Sequence, residues 1–152
     1  GILNSILRSK GSGAEALIRP AGGTKNPYKP GETPPEDLLI QMDGRAVYNF
    51  AVKANTEILE QLVTNAGHSL DDVSYVVPHQ ANSRIIEAAA KRLKVPFEKF
   101  YVNIEEYANT STASIPIALN EMYEKGLLHK GDLILTVGFG AGLTSGGTLI
   151  RW

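Results

Sequence analysis

The sequence predicts an α/β fold on a five-stranded, mostly parallel sheet, and three observations carry that prediction. Short β-branched or apolar runs alternate with longer stretches whose apolar residues recur at helical spacing. The last two strand-like runs are joined by too short a link for a crossover, so that pair is antiparallel and the sheet mixed. Three polar or small-residue segments fall just past strand ends, the edge where α/β sheets bind ligands.

The elements follow in order. Gly1–Ser9 (GILNSILRS) reads as a strand ending at the turn cluster Lys10-Gly11-Ser12-Gly13, and Ala14–Arg19 could extend a ribbon with it. Residues 20–35 hold Pro20, Pro27, Pro30, Pro34 and Pro35 with Gly22, Gly23 and Gly31, which makes the stretch a long loop. Asp43 stands at a helix N-cap; Val47, Phe50, Ala51, Ala54, Ile58 and Leu62 line one helical face, and Gly67 closes the helix. Val73–Val77 is a buried strand stopped by Pro78, and residues 81–94 are a second amphipathic helix with Ile85, Ile86, Ala89 and Leu93 inward. Phe100–Val102 is a short strand. A third helix runs from Thr112 to Lys125, with Pro116 in its first turn and Gly126 at its end. Asp132–Val137 and Thr144–Trp152 are the closing strands, joined by a glycine-rich link.

Composition narrows the function. The 152 residues carry 43% hydrophobic residues, enough for a core, and a net charge of −1, which gives no bulk basic surface for nucleic acid. No run approaches the roughly eighteen apolar residues of a membrane span, and no signal peptide opens the chain. Cysteine is absent, so disulfides, thiolate metal sites and cysteine catalysis are not available to these residues alone. The chain opens on Gly1 rather than Met and at once on strand-like residues, which reads as a cut, processed or trimmed end.

The three strand-end segments are VPHQAN (77–82), NTSTAS (109–114) and GFGAGLT (138–144). His79 lies between a strand-stopping proline and a helix start, where an imidazole can donate to an oxyanion, shuttle a proton or simply cap the helix. Asn109 alone reads as a turn or N-cap residue. The glycine segment is not a dinucleotide fingerprint: Leu143 stands where a small residue is required, and the segment leads into a strand. It is either a tight turn or a turn whose backbone N–H groups form one side of an oxyanion hole.

Taken together, VPHQANSRII, NTSTAS and GFGAGLT, in this order and at these separations, resemble the signature set of the 3-oxoacyl-(acyl carrier protein) synthase III family, within the thiolase-like condensing enzymes. The resemblance runs from GILNSIL to LIRW. It implies that residues 1–152 are the C-terminal half of an αβαβα sandwich, the cysteine nucleophile lying in an N-terminal half. It implies catalytic roles for His79 and Asn109 as donors to the thioester carbonyl of a malonyl group, with the Ala141 N–H facing an acyl-enzyme carbonyl. Arg84, Lys91 and Arg92 would meet an acidic acyl carrier protein, although Glu87 at i+3 from Arg84 equally suits a solvated face. Asn82 and Gly44 fall on substrate-contacting positions. The reaction would be decarboxylative condensation of acyl-CoA with malonyl-carrier protein, an acyltransferase step opening fatty acid synthesis. It would use coenzyme A thioesters as substrates, no metal and no further cofactor, in a cytoplasmic homodimer. The other readings are a stand-alone thioester decarboxylase and a non-catalytic carrier-protein-binding module. The chain departs from the pattern at Ser145, where many relatives have tryptophan, at Ala108, where glycine is usual, and at Asn49, where a lysine is frequent.

Overall fold

The computed structural model describes all 152 residues. Its main sheet has the order β1 (Ile2–Ser9), β6 (Thr144–Arg151), β5 (Leu133–Gly140), β4 (Tyr75–Pro78). β4 and β5 pair in parallel, whereas β6 is antiparallel to both β5 and β1. It follows that β1, β4 and β5 point the same way and β6 alone opposes them. The mostly parallel expectation thus holds for strand direction, while the ladders on either side of β6 are antiparallel.

The expected fifth strand at Phe100–Val102 shrinks to one parallel bridge between Val76 and Phe100, where the Tyr101 N–H donates to the Val76 carbonyl at 2.9 Å. The reason is covalent. In a continued parallel ladder the next donor, to the Tyr101 carbonyl, is residue 78, and proline has no N–H. Gln80 fills the gap with its side chain: Nε2 donates to the Tyr101 and Pro78 carbonyls at 3.1 and 2.9 Å, and Oε1 accepts from the Asn103 N–H at 3.1 Å.

Ala14–Arg19 does not extend a ribbon with β1. Gly11–Ala16 forms a 3-10 turn, and β2 (Leu17–Ile18) pairs antiparallel with β3 (Gln41–Met42) across the base of the proline-rich loop. That short ribbon delivers the chain to α1 (Gly44–Asn65). As expected, Asp43 caps it, its carboxylate accepting from the Arg45 and Ala46 N–H groups, both at 3.0 Å. Gly67, at φ +73°, turns the chain out of the helix. α2 (Ser83–Leu93) is capped by the Asn82 side chain. A short α3 (Ile104–Tyr107), not expected from the sequence, precedes a 3-10 turn at Ser111–Ala113. α4 (Ser114–Glu124) therefore starts two residues later than the pattern predicts.

The helices divide between the two faces of the sheet. α1 and α2 pack on one face, where Ile58, Leu59, Leu62, Ile86, Leu135 and Leu149 belong to a core of 14 buried residues. α4 packs on the other, around Val77, Ala118, Met122 and Ile134, a core of only 4. The asymmetry matters because α4 covers the β4–β5 side of its face and leaves the β1–β6 side open. Ile6 packs toward α1, so alternation turns Leu7 the other way, where it is 88% exposed. No helix is long and apolar enough to cross a membrane.

Candidate active site

On the open side of the α4 face lies a cavity of about 720 Å³. His79, the residues Ser111, Thr112 and Ser114, and the run Gly138–Gly140 all line it. The three segments singled out in the sequence therefore converge on one concavity. β4 and β5 end side by side in parallel register, and α4 begins beside them.

His79 follows the last residue of β4, and its N–H continues the ladder by donating to the Val137 carbonyl at 2.8 Å. Its ring is fixed from two sides. Nδ1 lies 2.7 Å from the Ser114 hydroxyl oxygen, and Phe139 presents an edge-on ring at 5.6 Å and 63°. The imidazole is half-buried, and the loss of hydration pushes its pKa below the ordinary 6.5. Burial therefore favours the neutral imidazole.

Asn109 sits in the loop between α3 and the Ser111–Ala113 turn. Its side-chain oxygen accepts from the Ser111 N–H at 2.9 Å. A backbone N–H can only donate, so this bond fixes the amide orientation and leaves Nδ2 as a donor without a partner. Asn109 is exposed and does not itself line the cavity; Ser111, two residues on, does. The residue before it, Ala108, has φ +57° and ψ −161°, a region that belongs almost only to glycine. Replacing Ala108 by glycine should therefore raise stability by about 1 kcal/mol, after glycine's larger unfolded-state entropy is subtracted from the relieved strain. Urea denaturation measures this, and a loss of stability would show that the alanine is not strained.

Ala141 occupies the exposed tip of the β5–β6 hairpin, its carbonyl accepting from the Thr144 hydroxyl at 2.9 Å. Leu143 and Lys10 exchange backbone hydrogen bonds at 2.7 and 3.1 Å, anchoring that tip to the end of β1. Like Asn109, Ala141 adjoins the cavity without lining it. Gly44 is the exposed first residue of α1, and Asn82 has its oxygen committed to the Arg84 N–H at 2.9 Å. Arg84 stands in the first turn of α2, Lys91 and Arg92 in the last; all three are exposed and none is in an ion pair. Glu87 does not engage Arg84, so the helix keeps an unneutralised basic face.

Sequence reasoning assigned no role to three residues that build the site. Gln80 is 1% exposed and staples the 101–103 segment to the end of β4. Phe139 and Ser114 hold the imidazole. Gln80 left one legible signal, a long amide placed just past a strand-ending proline. The Ser114 contact spans 35 positions and leaves none.

The sequence model described as "3-Oxoacyl-[acyl-carrier-protein (ACP)] synthase III C terminal" matches residues 50–152. The chain is 48% identical over 152 residues to the beta-ketoacyl-[acyl-carrier-protein] synthase III of Clostridium beijerinckii, covering all of this chain and 47% of that protein. It is also 48% identical over 153 residues to its counterpart from Caldanaerobacter subterraneus, of which it covers 46%. Among solved structures, the synthase III of Thermus thermophilus superposes with a TM-score of 0.88 at 39% identity, over all of this chain and 46% of that one. The priming β-ketosynthase of the R1128 polyketide pathway gives 0.85 at 32%, over 99% and 45%. The chain spans about half the length of the relatives it matches. With its motifs gathered at one cavity and its fold shared along its whole length, the chain belongs to the 3-oxoacyl-[acyl-carrier-protein] synthase III family, as its C-terminal half.

Proposed function

We propose that the chain supplies the decarboxylation half of a 3-oxoacyl-(acyl carrier protein) synthase III, completed by an N-terminal half that brings the cysteine nucleophile. The observations that carry this reading are a rigidly held His79 lining the cavity and, two residues before the cavity-lining Ser111, an Asn109 whose amide oxygen is engaged so that Nδ2 is free. Two uncharged donors near one strand edge suit a carbonyl oxygen that gains negative charge during reaction. In the reaction an acyl group first passes from coenzyme A to the cysteine. The C–C bond to the carboxylate of a malonyl thioester then breaks, carbon dioxide leaves, and the electron pair moves onto the thioester as an enolate held by His79 and Asn109. The enolate carbon attacks the acyl-cysteine carbonyl, and the tetrahedral adduct expels the cysteine thiolate to give the 3-oxoacyl thioester. The Ala141 N–H would meet the oxygen of that second carbonyl, and Gly44 with Asn82 would border the thioester arm. This chemistry needs no metal and no cofactor beyond its thioester substrates. The open β1–β6 side of the α4 face, with Leu7 exposed, is the surface on which the N-terminal half would pack. The working enzyme would be a cytoplasmic homodimer.

The exposed face of Arg84, Lys91 and Arg92 would receive an acidic carrier protein. Arg84→Glu in the complete enzyme should slow condensation from malonyl-carrier protein by about tenfold, leave condensation from malonyl-CoA nearly unchanged, and lose the difference in high salt. The assay follows carbon dioxide release and 3-oxoacyl product from both donors. Equal losses with both would remove the docking role, and absence of carbon dioxide release by the unaltered enzyme would overturn the proposed reaction.

A further inference from the structure

We propose that Ser114 is a positioning residue that decides which nitrogen of His79 carries the proton, placing it on Nε2, the nitrogen directed away from the serine. The inference rests on the proposed role of His79 for its functional meaning, but on hydrogen-bond geometry alone for its content. Ser114 is the first residue of α4 and is 2% exposed. Its hydroxyl oxygen has two partners: the Gln80 N–H at 3.2 Å and His79 Nδ1 at 2.7 Å. The Gln80 N–H can only donate, so toward it the hydroxyl is an acceptor. The hydroxyl proton then has one destination, the Nδ1 lone pair, since no other acceptor lies within reach of it. Nδ1 must be bare to receive that proton, and the ring proton sits on Nε2.

The opposite tautomer would aim Nδ1–H at the serine oxygen and leave the hydroxyl proton buried without an acceptor. A buried orphan donor of this kind disfavours its state by about tenfold to a hundredfold. The arrangement cannot relax by moving Gln80, because that residue's side chain is itself tied to the Pro78 and Tyr101 carbonyls and the Asn103 N–H. Phe139 blocks ring rotation on another side. The consequence for the proposed chemistry is direct. A ring protonated on Nε2 offers a donor to a developing oxyanion, and one protonated on Nδ1 offers a lone pair that repels it.

The test is nitrogen-15 spectroscopy of the complete enzyme labelled at histidine, with His79 identified by its loss in His79→Gln. The unaltered protein should show Nδ1 as a bare imine-type nitrogen and Nε2 as protonated. Ser114→Ala should give averaged signals for the two nitrogens as the tautomers mix, and carbon dioxide release from malonyl thioester should fall in proportion to the lost Nε2-protonated fraction, about twofold for an even mixture. Ser114→Thr, which keeps the hydroxyl, should restore the bare Nδ1 signal; should threonine's methyl prevent folding, Ser114→Cys replaces it as a weak-donor control with intermediate averaging. A protonated Nδ1 in the unaltered enzyme, or unaltered nitrogen signals in a folded Ser114→Ala, overturns the inference. Correct nitrogen signals in an enzyme that releases no carbon dioxide would instead overturn the proposed reaction and leave the tautomer assignment standing.

Discussion

Replacing His79 with alanine in the complete enzyme is expected to reduce malonyl decarboxylation by about 10²–10³, the usual cost of one oxyanion donor, while acyl transfer to the cysteine continues. The separation follows from where the charge appears. Acyl transfer from coenzyme A develops charge beside the nucleophile, whereas decarboxylation develops it on the malonyl thioester oxygen that His79 and Asn109 would serve. Nδ1 is committed to Ser114, so the ring has one remaining nitrogen for that oxygen. Asn109→Ala should act on the same step with a smaller loss, because His79 would still hold the oxygen. A His79→Ala enzyme that decarboxylates normally but fails to load acyl groups would reverse the assignment. The protonation state is open to separate measurement. Burial lowers the folded-state pKa of His79, so its titration midpoint should fall below 6.5. The sign for stability follows: as pH drops below 6.5, the unfolded chain takes up a proton that the folded site resists, and this group then disfavours folding. Above that value both states are neutral and the contribution vanishes.

Much of the fold was legible because its signals are local. Asp43 and Gly67 bracket α1, Gly126 follows α4, and the short link before Thr144 requires β6 to run against β5. What escaped sequence reasoning depends on contacts between distant segments. Phe100–Val102 has the composition of a strand, yet its second ladder bond would need an N–H that Pro78 lacks, and the Gln80 side chain takes its place. Leu17–Ile18 pairs with Gln41–Met42 across a 22-residue interval, which no nearby pattern announces. The site divides in the same way. The convergence of VPHQAN, NTSTAS and GFGAGLT was readable from strand ends, and the cavity bears it out through His79, Ser111, Ser114 and Gly138. The positions of Asn109 and Ala141 just outside that cavity were not readable, because they turn on a strained Ala108 and on the tie between Leu143 and Lys10.

The largest stability effect is expected at Gly147, in the middle of β6 and without a proposed chemical role of its own. A Cβ there would lie 2.6 Å from the Thr136 carbonyl oxygen, 2.7 Å from Ile58 Cγ2 and 3.0 Å from Leu62 Cδ1. The glycine is therefore a matter of close approach: α1 rests directly on the backbone of β6, and the first of those contacts is to main chain that cannot rotate away. Ile58 and Leu62 are both fully buried, so neither side chain has a free direction in which to yield. Gly147→Ala should cost about 1–3 kcal/mol through overpacking, and Gly147→Val should prevent stable folding. Two neighbours calibrate the claim. At Gly146 the nearest atom to an added Cβ is Leu7 Cδ2 at 2.7 Å, the end of a flexible and largely exposed side chain. At Gly138 an added Cβ meets only ordinary contacts of 3.6 and 3.7 Å, with His79 Cβ and Ile115 Cδ1. Denaturation midpoints should accordingly rank Gly138→Ala nearest the parent, Gly146→Ala next and Gly147→Ala lowest. A Gly147→Ala protein as stable as its Gly138→Ala counterpart would mean that α1 can lift off the sheet without cost, and that close packing is not what holds glycine at this position.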